Sequence, residues 1–346
     1  MIALDLFSGA GGMSLGAEQA GIKILAAVEN DPHACQTFRH NFPHVEILET
    51  DICAFSPPAL PSQDSIIFGG PPCQGFSTSN QKTRNKDNPK NWMFSEFFRV
   101  VEEASPEWVV FENVKGLLET ERGFFFTLIS EKLKKLGYSF QFNTLNAKDF
   151  GVPQVRNRLF VVGNRNGKSF IFPKVKTTKV VTVKDAIWDL PHINNGADIS
   201  WLPYSKRHPS AYANLLRGKM QKSPNNIVTR SAPHIIERYK YVPQGGNWEN
   251  IPEDMMSNYH DRTRCHTGIY HRLCWSKPSV VLGNFRKNML IHPSEHRGLS
   301  VREAARLQSF PDNFEFCGSI GFQQQQVSNS VPPFLAQAVF SAILCG

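Results

Sequence analysis

One cysteine lies in a loop whose composition suits covalent chemistry. Cys73 ends the sequence GGPPC at 69–73, and the apolar run at 65–68 predicts a buried strand that the glycines and prolines end. Glycine lets the backbone approach a ligand closely, and proline stiffens the chain that follows. The loop therefore presents one thiol at a strand end, where open α/β sheets bind ligands. A cysteine in such a turn can also simply fill the core, because free cysteine is among the most buried residue types.

A glycine-rich loop and two acids predict a nucleoside site near the N-terminus. The sequence SGAGG at 8–12 lies between a short apolar strand and a helix, where glycines let backbone N–H groups approach a ligand. Glu29 ends the next strand, twenty residues after Gly9, and a carboxylate there can accept hydrogen bonds from both ribose hydroxyls. Asp51 follows a third strand at the same sheet edge. Ser14 replaces the third glycine of a dinucleotide-binding loop, so the pattern is not that of a dinucleotide site.

A third acid and two arginines come from later strands. Glu112 follows the apolar run at 108–111 and is expected at the same sheet edge. Arg156 and Arg158 lie in a strand predicted at 154–162, and their spacing of two places both on one face.

An alternating order of strands and helices must position these residues. It predicts a doubly wound α/β sheet for roughly the first 180 residues. After residue 173 the pattern changes to short strands and loops rich in Pro, Asn and His. Regular structure returns at a capping box formed by Ser300 and Glu303, and an apolar helix is predicted at 334–344.

Composition and charge limit the class of protein. The 346 residues are 41% hydrophobic and 20% charged, as in folded proteins, and no apolar run approaches the ~20 residues of a membrane span. The N-terminal residues lack the features of a signal peptide, and the seven cysteines include no C-x-x-C pair, so we expect an intracellular protein without a disulfide framework. The net charge is +8, and residues 173–296 hold 18 Lys+Arg against 9 Asp+Glu. A basic segment of this kind suits a polyanionic partner.

Taken in order, the motifs resemble those of the cytosine-5 DNA methyltransferases of prokaryotic restriction-modification systems. The matching stretches are DLFSGAGG, AVEND, GGPPCQGFS, ENVKG, QVRNR, REAARLQSFPD and SNSVPP. The resemblance implies a Rossmann-like S-adenosylmethionine methyltransferase sheet, with a catalytic, cofactor-binding domain at 1–186 plus 322–346. It also implies a smaller, irregular, mostly β target-recognition domain with a hinge at 187–321.

The resemblance also implies the chemistry of four residues. The Cys73 thiolate would add to C6 of a flipped-out cytosine, with its pKa lowered by nearby positive charge or backbone donors. Glu112, kept protonated by apolar surroundings, would stabilise the charge that develops toward N3. Arg158 would hold the base O2 and position Glu112, and Arg156 joins this catalytic group.

The cofactor implied by the resemblance is S-adenosylmethionine, with no metal. Phe7 would pack on the adenine, Glu29 would bind the ribose, and Asp51 with Ile52 would contact the adenine end. The methionine portion would lie in the loop of Ser8, Gly9, Ala10, Gly11 and Gly12. Asn329 would complete the site from the C-terminal tail, where Ser328 stands in place of the glycine that is common in this family. A second set of candidate ligands, which lacks zinc-finger spacing, predicts no metal site: His260, Cys265, His266, His271 and Cys274.

The expected partner is double-stranded DNA, which a cytoplasmic, nucleoid-associated monomer would methylate in functional pairing with a restriction endonuclease. No membrane partner is expected. A tRNA cytosine-5 methyltransferase on the same scaffold is the nearest alternative, but Gly75 and the long basic segment favour DNA. A non-catalytic DNA-binding regulator is the alternative from another class. It predicts decay of the catalytic set, and no decay is visible.

Overall fold

The computed structural model describes residues 1–72, 92–175, 179–256, 268–283, 285 and 289–345. Cys73 lies outside the described residues, as do Gly75 and three of the candidate zinc ligands, His260, Cys265 and His266. The chain divides into two compact units. Unit 1 comprises Met1–Phe150, Asn157–Lys176 and Val331–Gly346, and unit 2 comprises Gly151–Arg156 and Thr177–Ser330.

The described residues of unit 1 form a seven-stranded sheet in the order β3-β2-β1-β4-β5-β7-β6. The first five strands are parallel, β7 runs antiparallel to β5, and β6 runs antiparallel to β7. This arrangement confirms the predicted α/β class. The strand bounds are β1 Ile2–Leu6, β2 Lys23–Glu29, β3 Glu46–Glu49, β4 Ser65–Gly69, β5 Trp108–Asn113, β6 Ser139–Asn146 and β7 Asn157–Asn164.

Helices cover both faces of this sheet, which is why its central strands are apolar on both sides. On one face Leu4, Ile67 and Phe111 pack in a single core with residues of the helices Met93–Ala104 and Phe124–Lys135. On the other face the ring of Phe68 lies 4.8 Å from that of Phe340 in α10. The helices of unit 1 are α1 Gly12–Ala20, α2 Pro32–Asn41, α3 Met93–Ala104, α4 Phe124–Lys135 and α10 Pro333–Cys345.

The strand order reverses between β1 and β4, which are neighbours in the sheet. The chain moves outward from β1 to β2 and β3, and in the opposite direction from β4 to β5 and β7. Loops that follow two such strands separate and leave a crevice at the carboxyl edge of the sheet. The glycine loop after β1 and the chain after β4 therefore flank one crevice.

Unit 2 contains more helix than was expected. Its described residues form a two-stranded antiparallel sheet, β8 Asp198–Pro203 and β9 Lys222–Ile227. Its helices are α5 Val183–Ile187, α6 Ala211–Arg217, α7 Pro233–Tyr241, α8 Val301–Leu307 and α9 Ile320–Asn329. Within 187–321 the described residues form three complete α-helices, α6, α7 and α8, and two strands, β8 and β9. The expectation of a mostly β region was therefore wrong for this part of the chain. The predicted capping box is confirmed, because Glu303 N donates to Ser300 Oγ at 3.1 Å and Ser300 N donates to Glu303 Oε2 at 2.7 Å.

Buried ion pairs lie around α8 in unit 2. The Arg306 guanidinium is fully buried and donates to Asp312 Oδ1 at 2.7 Å and to Asp189 Oδ1 at 3.0 Å. Removing one partner of such a pair typically costs about 3–5 kcal/mol, because the other charge is left buried and unpaired.

The C-terminal stretch Ile320–Cys345 has the length and apolar composition of a membrane span, with a mean hydropathy of 1.3. In the structure 61% of the 18-residue apolar window in this stretch is buried. The stretch is also not one regular helix, because α9 ends at Asn329. Burial of this extent is what the core helices of a folded domain show.

Candidate active site

The glycine loop after β1 is fastened to the end of β2. Gly9 N donates to Glu29 Oε2 at 2.8 Å, and Ser8 N donates to Val28 O at 3.1 Å. The other carboxylate oxygen of Glu29 accepts from the backbone N–H groups of Asn30 and Asp31, both at 2.9 Å. Glu29 therefore fixes the loop as well as presenting a carboxylate at the sheet edge.

The backbone of the loop has an unusual conformation that makes room for a ligand. Phe7, Gly9 and Gly11 all have positive φ, at 58°, 54° and 91°. Such a conformation is costly for Phe7 and persists only where the surroundings impose it. Ser8 Oγ is buried and has no hydrogen-bond partner among the described residues. An orphan hydroxyl at the start of a glycine loop fits a polar ligand that would supply the missing hydrogen bond.

A buried pair lies beneath the loop. The Ser14 hydroxyl donates to Asp5 Oδ2 at 2.6 Å, and both side chains are almost completely buried. Burial raises the pKa of the Asp5 carboxyl to about 8, while the Ser14 hydrogen bond opposes the shift and the nearby Glu29 adds to it. Ser14 thus occupies its position for a hydrogen bond that glycine could not make.

Asp51 and Ile52 follow β3 at the same edge. Glu29 and Glu49 are paired in register at the ends of β2 and β3, so the chain that leaves β3 lies beside the β2 end. Asp51 is exposed, and Cys53 N donates to its Oδ1 at 2.9 Å, a hydrogen bond that lowers the pKa of the carboxyl. The structure therefore brings the predicted cofactor residues of β1, β2 and β3 to one edge, whereas Asn329 belongs to unit 2.

Glu112 and Arg158 meet at the carboxyl edge of the neighbouring strands. Arg158 Nε lies 2.9 Å from Glu112 Oε1, and the two side chains are 12% and 10% exposed. The antiparallel register of β5 and β7 explains this contact. Glu112 pairs with Phe160, and Arg158, two residues before Phe160, lies on the same face of the sheet. An ion pair so little exposed is weakly screened by solvent.

The chain that leads to Cys73 is held against the end of β5. Asn113 Nδ2 donates to Pro71 O at 3.2 Å, and Asn113 Oδ1 accepts from Val114 N at 3.0 Å. A methyl group on Gly70 would lie only 2.6 Å from Glu112 Oε2. The sequence analysis did not predict the Asn113–Pro71 hydrogen bond or the closeness of Gly70 to Glu112. The sequence did hold a signal for each: an amide residue next to an acid at a strand end, and a glycine before two prolines.

Arg156 is placed differently from Arg158. Strand β7 begins at Asn157, so the strand predicted at 154–162 is shorter and the two arginines do not share a strand face. Arg156 is 1% exposed in unit 2, where its Nη2 donates to Ser328 O at 2.7 Å and to Ser330 O at 3.0 Å. Of the four predicted catalytic residues, the structure brings Glu112 and Arg158 together, places Arg156 on a helix end, and does not describe Cys73.

Comparison with known proteins agrees with this architecture. The sequence profile of the C-5 cytosine-specific DNA methylases matches residues 1–345. The type II methyltransferase M1.HphI of Haemophilus parahaemolyticus is 38% identical over 348 residues, which cover 99% of this chain and 86% of that protein. The type II methyltransferase M.DdeI of Desulfomicrobium norvegicum is 32% identical over 368 residues, covering 98% of this chain and 88% of that protein.

A solved structure described as a prophage-encoded DNA modification methyltransferase of E. coli superposes with a TM-score of 0.81. Its sequence is 27% identical, and the match covers 100% of this chain and 99% of that one. The profile match and both relatives extend over nearly the whole chain, so they include unit 2 as well as the sheet. The chain therefore belongs to the C-5 cytosine-specific DNA methylase family and is a DNA (cytosine-5-)-methyltransferase.

Proposed function

We propose that the chain transfers a methyl group from S-adenosylmethionine to C5 of a cytosine flipped out of double-stranded DNA, through a covalent bond between Cys73 and C6. The buried pair of Glu112 and Arg158 is the observation that carries this proposal. It places a carboxyl and a guanidinium beside Gly70 and Pro71, which lead directly to Cys73. A carboxyl held by a cation can act on a ring nitrogen in the same site where a thiol attacks the ring.

The chain's own groups account for the steps at the base. The Cys73 thiolate adds to C6, and the electron pair of the C5–C6 bond then makes C5 nucleophilic. Glu112 acts on N3 in its protonated form: one carboxyl oxygen carries the proton and donates it to N3, which becomes more basic as charge develops. Arg158 donates to the other carboxyl oxygen and to the base O2. S-adenosylmethionine supplies, when bound, an activated methyl group on a sulfonium. After C5 has been methylated, loss of its proton to a base expels the thiolate and restores the ring.

The geometry of unit 1 fits the proposed cofactor. Ser8 Oγ offers an unused hydroxyl, and the glycines of the loop leave room for a close approach. Glu29 can still accept one hydrogen bond from a ribose hydroxyl, since a carboxylate accepts about four hydrogen bonds and Gly9, Asn30 and Asp31 supply three. We assign Phe7 and Ile52 to the adenine and Asp51 to its amino group. We assign the loop residues Ser8, Gly9, Ala10, Gly11 and Gly12 to the methionine portion, and Asn329 to the same cofactor.

Unit 2 is proposed to bind the DNA. It holds 20 Lys+Arg against 12 Asp+Glu, whereas unit 1 holds 18 of each, so unit 2 accounts for the whole net charge of +8. Phosphate contacts from such a basic unit supply affinity, and polar side chains among them read base edges. We assign catalysis and cofactor binding to residues 1–186 plus 322–346, and target recognition to residues 187–321. We further propose that the protein is a cytoplasmic monomer. We also propose that it is paired functionally with a restriction endonuclease, because its relatives are named type II methyltransferases.

Transfer of labelled methyl from S-adenosylmethionine tests this function. Unmethylated duplex DNA and tRNA are offered in parallel to the wild type, Cys73→Ser and Glu112→Gln. We expect 5-methylcytosine in the DNA with the wild type, none with Cys73→Ser, and a rate lowered about a hundredfold or more with Glu112→Gln. All three proteins should bind S-adenosylmethionine equally.

Two outcomes would contradict the proposal. Full activity of Cys73→Ser would exclude the covalent mechanism. Label found in tRNA alone would retain the mechanism but show that the substrate is RNA.

A further inference from the structure

The C-terminal end of helix α9 is held by side chains from distant parts of unit 2. The last four carbonyl groups of a helix have no partner within it and need donors from elsewhere. Arg156 Nη2 supplies two hydrogen bonds, to Ser328 O at 2.7 Å and to Ser330 O at 3.0 Å. Its guanidinium also meets the partial negative charge of the helix end, which is a favourable position for a cation.

Two glutamines complete the support of this helix end. Gln308 Nε2 donates to Val327 O at 2.8 Å. Gln154 Nε2 donates to Gln308 Oε1 at 2.8 Å, and Gln154 Oε1 accepts from Leu282 N at 3.1 Å. Arg156 therefore holds the four-residue stretch 327–330 directly, and Gln154, two residues away, holds it through Gln308. All of these side chains are buried, where the hydrogen bonds are little weakened by water.

Asn329 lies in the middle of the held stretch. It is the last residue of α9 and is exposed, whereas Ser328 and Ser330 on either side are buried. The two carbonyls bound by Arg156 belong to these two neighbours. The Arg156 guanidinium thus fixes the backbone on both sides of Asn329 and leaves the Asn329 side chain open to a ligand.

We propose that Arg156 is a positioning residue for Asn329 and does not contact the target base. This inference rests on the proposed function, in which Asn329 binds S-adenosylmethionine. Arg158 and Arg156 then divide the work of one motif: the first acts on Glu112 and the base, and the second fixes the backbone around a cofactor residue.

A double-mutant cycle tests the coupling. The dissociation constant for S-adenosylmethionine is measured for the full-length wild type, Arg156→Ala, Asn329→Ala and the double variant. Arg156→Ala should weaken binding about tenfold in the wild-type background and have little effect once Asn329 is alanine, because residues that act through one another are not additive. Arg156→Lys, which keeps donors for both carbonyls, should restore part of the affinity and serves if Arg156→Ala does not fold.

Arg158→Ala is the matched control, measured by covalent trapping. The DNA is amplified with 5-fluorocytosine in place of cytosine, so the product cannot eliminate the thiolate and no knowledge of the target sequence is needed. At saturating S-adenosylmethionine, Arg156→Ala should trap DNA at nearly the wild-type rate. Arg158→Ala should trap it at least a hundredfold more slowly with unchanged cofactor affinity.

Three outcomes would overturn the inference. Arg156→Ala could behave like Arg158→Ala, which would place Arg156 at the base. It could weaken binding equally in both backgrounds, which would show a general structural role. If Asn329→Ala binds S-adenosylmethionine normally, the assignment of Asn329 fails together with this inference, while Cys73-dependent methyl transfer by the wild type would leave the rest of the proposed function intact.

Discussion

Glycine at position 70 gives the Glu112 carboxylate the space that it occupies. A methyl group there would lie 2.6 Å from Glu112 Oε2, well inside van der Waals contact. We predict that Gly70→Ala lowers kcat about a hundredfold, because a displacement near 1 Å of a positioned group can cost that much. S-adenosylmethionine affinity should not change. Methyl transfer to duplex DNA and equilibrium binding of the cofactor check the two expectations.

The same substitution at Gly298 is the control. A methyl group there would meet Leu290 O at 3.7 Å, an ordinary contact, and the φ of Gly298 is not positive. Gly298→Ala should therefore retain wild-type kcat. Wild-type kcat in Gly70→Ala as well would show that the position of the Glu112 carboxylate does not limit the reaction.

At the scale of single residues, the sequence predicted which residue types gather at the sheet edge but not their partners. Glu112 and Arg158 could be expected there because both lie at the ends of apolar strands. The bonds of Arg156 could not be predicted, since its partners Ser328 and Ser330 lie more than 170 positions along the chain. Local spacing carries no information about contacts formed only when distant segments pack.

At the scale of elements, α1 and α10 pack unusually close together at one glycine. A Cβ atom on Gly16 would lie 2.5 Å from Ala336 Cβ and 2.6 Å from Pro333 O. We predict that Gly16→Ala destabilises unit 1 by about 1–3 kcal/mol, because overpacking forces the two helices apart. Hydrogen–deuterium exchange of peptides that cover β1 and β5, two central strands of unit 1, measures the change.

Gln19→Ala in the same helix is the control, because Gln19 is exposed. Such surface substitutions change stability by less than about 0.5 kcal/mol. Equal stability of Gly16→Ala and Gln19→Ala would mean that the helices can separate at no cost.

Most elements of the sheet could be predicted, because buried strands and their covering helices follow apolar patterns. Helix α9 could not, since its sequence contains four consecutive glutamines and pattern rules place polar residues outside. In the structure Gln323, Gln324 and Gln326 are nearly completely buried. Their amide groups find hydrogen-bond partners such as Thr229 Oγ1 and Cys317 O, which only the folded unit provides.

At the scale of the whole molecule, one buried carboxyl makes stability depend on pH. Asp5 lies in β1, at the centre of the sheet, and burial raises its pKa from 3.8 to about 8. Between these values the folded chain retains a proton that the unfolded chain releases. Stability from this group is therefore complete below about pH 4, decreases as pH rises, and is lost once pH passes about 8.

We predict that unit 1 of the wild type loses roughly 1.4 kcal/mol per pH unit, relative to Asp5→Asn, between about pH 5 and pH 7. Asparagine cannot ionise and can still accept the hydrogen bond from Ser14, so the variant should lack this dependence. Hydrogen–deuterium exchange of peptides that cover β1 and β4, corrected for intrinsic rates, reports the opening of this sheet without interference from unit 2. The variant should be the more stable protein at pH 8, although it has gained no contact.

Glu46→Gln, on an exposed position of β3, is the control and should follow the wild-type curve. Parallel curves for the wild type and Asp5→Asn would show that the Asp5 carboxyl titrates alike in the folded and unfolded chains, so that its burial is relieved by water or by movement of the strand.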